Sequence, residues 1–266
     1  MHIGVVMGTG HGSDGATGRL VNELLDRVRG IVPDVEVSTV DTDSLDLGPS
    51  CAACLGCMTA GEQSCPNFSS AARAARLMEE ADLVVFATPV HSFHVSATMK
   101  RFVDHFAYLI HRPAHVGKPC VQISTAAGAG HDQALGYLKS ATRRWGFHTV
   151  GQLGVNGPGL KKAPYRAKVD AALDELAASV VDQARNPVEP APTAADLIGF
   201  RVARLLVESG RDEGPVDAAY WDERGWFDAD WFTDRKLPWF ANRLAATVEK
   251  KIRKGIAEGS ANPYQG

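Results

Sequence analysis

The chain has 266 residues, 45% of them hydrophobic and 22% charged, a balance and size that suit one α/β domain of roughly 180–200 residues with an appendage. Its 28 Lys and Arg stand against 31 Asp and Glu, a formal net charge of −3, which argues against a dedicated nucleic-acid binder. Residues 1–7 lack the basic and apolar regions of a signal peptide, and no apolar run reaches the ~18 residues of a membrane span, so a cytoplasmic protein without membrane attachment is expected.

Short β-branched runs alternate with helical patterns through the first two-thirds of the chain. Residues 3–7 read as a buried strand, and after a glycine-rich turn Leu20, Val21, Leu24, Leu25 and Val28 recur at helical spacing. Residues 35–40 form the second strand pattern, 71–80 an Ala- and Arg-rich helix, and 83–87 a third strand. Met99, Phe102, Val103, Phe106 and Ile110 mark the next helix. Residues 120–123 give a fourth strand, Leu135, Leu138 and Trp145 a helix, 147–153 a fifth strand, and Leu173, Leu176 and Val180 the helix after it. This cadence predicts βαβ crossovers and a doubly wound, five-stranded parallel sheet covered on both faces. Ligands of such sheets collect outside the carboxyl ends of the strands.

Pro187, Pro190 and Pro192 interrupt helix and mark a linker over 186–194. Residues 1–185 are thus expected to form the sheet domain, and 195–266 a helical, aromatic-rich extension. That extension carries Trp221, Trp226, Trp231 and Trp239, with helices through Leu197, Val202, Leu205 and Leu206 and through Phe240, Leu244, Val248 and Ile252.

Three strand-end turns carry ligand-binding chemistry. The first runs from Gly8 through Thr9, His11, Ser13, Gly15, Ala16 and Thr17 into a helix. Glycines let backbone N–H groups curl around an anion, hydroxyls add donors, and the helix N-terminus favours negative charge. The lysine of a P-loop is absent, so a single phosphate suits this turn better than a nucleotide pyrophosphate. The second turn holds Pro89, Val90, His91, Ser92 and Phe93, and the third Ser124, Thr125, Ala126, Ala127, Gly128 and Gly130. Both can present backbone amides to a planar ring.

The second and third turns, with Ser96, Lys100, Phe102 and Asp104 behind one and Gln133, Ala134 and Leu135 behind the other, resemble the NAD(P)H-dependent FMN reductase branch of the flavodoxin-like proteins. The resemblance covers about residues 1–185. It implies FMN held by the residues named in the three turns, and NAD(P)H as co-substrate. It also implies a quinone or other small-molecule electron acceptor, or a ferredoxin-like carrier, and a homodimer or homotetramer. His91 stands where that family usually carries an aromatic residue. The flavin would carry the chemistry, so no catalytic side chain is assigned.

Four of the five cysteines fall in the segment 50–66. Cys51, Cys54 and Cys57 recur at steps of three, and Cys65 follows across a short loop. Thiolates so spaced can occupy the corners of an iron–sulfur cluster. Zinc and metal-free thiols are the alternatives, although tetrahedral zinc sites usually pair two short hooks across a longer loop. The spacing resembles that of the iron–sulfur flavoproteins, which implies a 4Fe–4S cluster on these four residues. A non-enzymatic FMN and iron–sulfur electron carrier, and a metal-free NAD(P)H:FMN reductase, are the rival functions. Cys120, alone in a strand pattern, reads as a core residue.

Overall fold

A computed structural model describes residues 1–48, 50–212 and 214–258; of the expected extension, residue 213 and residues 259–266 therefore lie outside the described residues. In chain order the elements are β1 (His2–Met7), α1 (Ala16–Ile31), β2 (Glu36–Asp41), α2 (Gly56–Thr59), α3 (Phe68–Glu80), β3 (Leu83–His91), β4 (His94–Val95), α4 (Ala97–His105), β5 (Pro119–Ala126), α5 (His131–Arg144), β6 (His148–Asn156), α6 (Ala163–Arg185), α7 (Ala194–Ser209), α8 (Pro215–Glu223) and α9 (Trp239–Ala257). They divide into two compact units. One comprises Met1–Ala53 and Pro66–Glu189, the other Cys54–Cys65 and the described residues from Pro190 on.

In the first unit the sheet order is β2-β1-β3-β5-β6, with every neighbouring pair on this path parallel. Alternate residues of each strand face opposite layers. Val6, Val84, Phe86 and Cys120 meet Leu77, Met99, Phe102, Leu138 and Trp145 of α3, α4 and the α5 end on one face. Ile3, Val5, Val85, Val121 and Ile123 meet Leu24, Val28, Leu173 and Val180 of α1 and α6 on the other. Burial on both faces explains why the strands read as unbroken apolar runs, and each such side chain stabilises the fold by about 1.5–3 kcal/mol. The order reverses between β1 and β3, so the turns after these strands flank the switch point where mononucleotide ligands bind.

The five parallel strands expected from the sequence are present, and two details differ. A short antiparallel strand, β4, folds back on the end of β3 through the pairs Val90–Val95 and His91–His94. The helix expected to continue through Ile110 instead ends at His105, where the Phe106 N–H turns to the Phe102 and Val103 carbonyls and a tighter turn takes over at Ala107–Ile110.

The second unit is built on helices. A capping box starts α7: the Asp196 N–H donates to Thr193 Oγ1 at 3.3 Å and the Thr193 N–H to Asp196 Oδ2 at 2.8 Å. α7 packs on α9, and α8 on both α7 and α2. Trp221, Trp226 and Phe232 surround one another and Phe200 stacks on Trp221, with the Trp226 indole N–H donating to the Phe232 carbonyl at 3.1 Å. These tryptophans therefore form the unit's own aromatic core. Trp239 and Phe240 are 72% and 73% exposed. α8 is an addition to the two helices expected here. Among the described residues no helix is long and apolar enough to cross a membrane.

Candidate active site

The turn after β1 is held over the start of α1 by the absence of a side chain at Gly18, where a Cβ would lie 2.4 Å from the Gly12 carbonyl oxygen. Thr9 and Thr17 are buried while His11, Ser13 and Ala16 are exposed. The His11 N–H donates to Thr9 Oγ1 at 3.3 Å. Gly15 precedes α1 without a side-chain cap, leaving first-turn amides of the helix for other acceptors. Beyond β2, the Asp41 and Asp43 carboxylates approach this turn: Cβ atoms built on Gly12 and Gly10 would lie 3.5 Å from Asp41 Oδ2 and 3.8 Å from Asp43 Oδ2. Burial raises the Asp41 carboxyl above its usual range; the Asp43 N–H it accepts opposes that rise and the Asp43 charge adds to it.

The turn after β3 is a two-residue hairpin, Ser92 and Phe93, with φ of 48° and 64°. Positive φ at both central residues matches the twist of the flanking strands, although neither residue is the glycine or asparagine that usually signals it. Phe93 stands 66% exposed at the tip. Behind it the His94 ring lies 4.7 Å from that of Tyr137. Lys100 forms an ion pair with Asp104 at 2.5 Å, and this bond chiefly raises the Lys100 ammonium against its partial burial.

The third turn leaves β5, whose eight residues are all buried, and exposes Ala127 and Gly128 before Gly130 enters α5. Three contacts bring the turns together. Thr17 Oγ1 and Thr125 Oγ1 share a buried hydrogen bond of 2.7 Å, joining the first and third. The Ser96 hydroxyl, which also receives the Met99 N–H as the cap of α4, donates to the Gly8 carbonyl at 2.6 Å, joining the second and first. Gly130, at φ 103°, lies so close to the second turn that a Cβ there would be 2.8 Å from Phe93 Cα and 2.9 Å from Val90 Cγ1. Thr9, Thr17, Val90, Phe93, Thr125 and Gly130 are thus gathered at one end of the sheet. Ser13 hydrogen bonds only to the neighbouring Asp14, among the described residues. The joining roles of Ser96 and of Asn156, which donates to the Gly128 carbonyl at 2.9 Å, were not read from the sequence. A serine three residues before Met99, as a helix cap, was the available signal for the first.

The residues present fit FMN. Ser124 Oγ and Thr42 Oγ1 are buried with no hydrogen-bond partner among the described residues, a costly state that a polar ligand at the strand ends would relieve. Donor hydroxyls and an uncapped helix start suit one phosphate, and exposed Phe93, Ala127 and Gly128 offer a surface for a flat ring.

In the cysteine segment Cys51 and Cys54 are exposed and Cys57 and Cys65 half-buried. Ala53 and Leu55, between the cysteines, hold φ of 52° and 58°, a left-handed habit found in backbone concavities that bind anionic groups, iron–sulfur sites included. Among the described residues no three His, Cys, Asp or Glu side chains are gathered as a metal site. The donor type and number fit a thiolate-ligated cluster.

The strand order defines a flavodoxin-like α/β fold, a class whose mononucleotide ligands bind at the switch point that the three joined turns surround. A putative quinone reductase from Klebsiella pneumoniae shares this fold with a TM-score of 0.51 and 17% identity over 73% of this chain and 88% of that one. An iron–sulfur flavoprotein from Archaeoglobus fulgidus is 28% identical over 184 residues, 66% of this chain and 78% of that protein. Residues 1–158 match the family described as NADPH-dependent FMN reductase, and the chain belongs to that family of oxidoreductases.

Proposed function

We propose that this oxidoreductase holds FMN with its phosphate on Thr9, His11, Ser13, Gly15, Ala16 and Thr17 and its ring between residues 89–93 and 124–130. In this reading electrons pass from NAD(P)H or a reduced carrier to a quinone or other small organic acceptor, and Cys51, Cys54, Cys57 and Cys65 ligate a 4Fe–4S cluster. The joining of the three turns through Thr17, Thr125, Ser96 and Gly130 carries the flavin part. When bound, FMN supplies hydride acceptance and release of electrons singly or in pairs.

The protein's own part is binding, orientation and exclusion of water. The amides at the start of α1 and the hydroxyls of the first turn meet the phosphate charge. The Thr17–Thr125 bond fixes the phosphate end relative to the ring end. Phe93 on its strained hairpin takes the position of an aromatic wall, two residues beyond the His91 that replaces the family's usual aromatic. The four thiols and the left-handed residues between them support the cluster part, as does the name of the Archaeoglobus relative. A cluster would add one-electron steps.

The absorption spectrum, iron and acid-labile sulfide of anaerobically purified protein test both parts. Flavin absorption with about four iron and four sulfide per chain is expected. A flavin spectrum without iron, or with zinc in its place, contradicts the cluster and leaves FMN standing; a colourless protein that takes up no FMN contradicts both.

A further inference from the structure

In the helical unit, α9 packs on α7 with one side and leaves the other bare. Ala245 and Glu249 are buried on the packed side. At about 100° per residue the opposite side gathers Trp239, Phe240, Arg243, Leu244, Lys250 and Lys251 within ~140° of arc, and all six are exposed. Leu244 follows Phe240 by one helical turn, so it extends the apolar patch that Trp239 and Phe240 begin. The Arg243 guanidinium lies over the Trp239 ring, 5.8 Å from its centre. Elsewhere on the helix Arg253 is engaged by Glu208 and Glu249, and Lys254 by Glu258. Among the described residues Arg243, Lys250 and Lys251 have no acidic partner. Glu249 is the one acidic residue of α9, and it faces the buried arginines.

The bare side thus joins exposed aromatic rings at its first turn to unpaired cations about 18 Å further along the axis, with no carboxylate between them. Tryptophan and phenylalanine beside Lys and Arg are the composition of helices that lie in the lipid–water interface, the rings among the headgroups and the cations against anionic phosphates. We propose that this side of α9 docks the protein on the surface of an anionic phospholipid bilayer, against the expectation of no membrane attachment. That expectation rested on the lack of a spanning apolar run, and a face lying in the interface needs none. Charge complementarity selects the occupant. A second copy meeting this face would set cations against cations with no carboxylate to offset them. An acidic protein would need a pocket and charges at matching spacing, whereas a bilayer offers apolar depth and negative charge at any spacing. Docking would bring the chain beside acceptors that dissolve in lipid; that consequence rests on the proposed acceptor, and the docking itself does not.

Co-sedimentation of the full chain with vesicles tests the docking. Binding to phosphatidylcholine vesicles containing about 30% phosphatidylserine is expected to exceed binding to pure phosphatidylcholine at least about tenfold, and to weaken as salt rises. The double substitution Lys250→Gln, Lys251→Gln lowers the anionic binding about tenfold or more, and Trp239→Ser with Phe240→Ser lowers it by a similar factor. Both pairs occupy exposed positions, and an unchanged urea midpoint verifies that each variant is folded. No binding, equal binding to the two vesicles, or binding that survives either double substitution overturns the proposal. Polyglutamate separates lipid from an acidic protein: binding to it as tight as to anionic vesicles, and unchanged by Trp239→Ser with Phe240→Ser, overturns the lipid assignment. Self-association of the wild-type chain that the same aromatic substitutions abolish, read by light scattering, assigns the face to a second copy and overturns it as well.

Discussion

Gly130 concentrates the demands of the site in one residue. Its φ of 103° disfavours any side chain, and the Phe93 backbone occupies the space a Cβ would need. Gly130→Ala must therefore move the second turn from the third at a cost of about 1–3 kcal/mol. We expect FMN affinity to fall at least about tenfold in this variant, since each 1.4 kcal/mol is a factor of ten, as read by quenching of flavin fluorescence; unchanged affinity would show that the two turns do not hold the ring jointly. At this scale the sequence was legible where residue type alone carries the chemistry, as in the glycines and hydroxyls of the first turn and the spacing of the cysteines. It was not legible where chemistry arises from pairing. Nothing in the local sequence links Thr17 to Thr125, 108 positions away, or foretells that Ser124 is buried without a partner. The first follows from the packing of α1 on β5, the second from the burial of β5 in the middle of the sheet.

Among the elements, the inner strands β1, β3 and β5 announced themselves because burial on both faces favours near-continuous apolar runs. β4 did not, because its hairpin turns on Ser92 and Phe93 and lacks the glycine or asparagine that usually marks two positive-φ residues. α8 was signalled only by Gly214 and Pro215 at its start, a helix-opening pair easily passed over in nine residues without an apolar stripe. The pairing of α7 with α9 rests on buried charge. Arg201 and Arg204 donate to the two Glu249 carboxylate oxygens at 2.7 Å each, Arg201 also reaches Asp230 at 2.5 Å, and Arg253 joins Glu249 to Glu208. Burial opposes ionisation of Glu249, but the bonds from Arg201 and Arg204 outweigh it and hold its carboxyl below the ordinary 4.5. A carboxylate with a depressed folded value stabilises fully above its unfolded value and loses that contribution as pH falls through the folded one. Acidification below about pH 4.5 should thus loosen the helical unit. Glu249→Ala, which leaves the buried Arg204 without a carboxylate partner and Arg201 with Asp230 alone, should cost about 3–5 kcal/mol at neutral pH. Urea unfolding followed by tryptophan fluorescence at pH 7 and pH 4 checks both; an unchanged midpoint in the variant would remove the network's structural role.

For the molecule as a whole, the sheet unit carries the three strand-end turns, and the helical unit includes three of the four clustered cysteines. The sequence places the cysteine segment among the sheet-domain residues, where chain order puts it. The packing of α2 on α8 joins residues some 160 positions apart, a non-local contact that no local pattern encodes. Membership of the FMN reductase family rests on residues 1–158, so the helical unit from Pro190 on lies beyond the matched stretch. The central claim is that one flavin mononucleotide is gripped simultaneously by three separate strand-end turns. Hydrogen–deuterium exchange of the full chain with and without FMN tests this most directly. Concerted protection of segments 8–17, 88–96 and 124–130 at one FMN per chain is the predicted result; protection of only one of these segments, or of none, would contradict it.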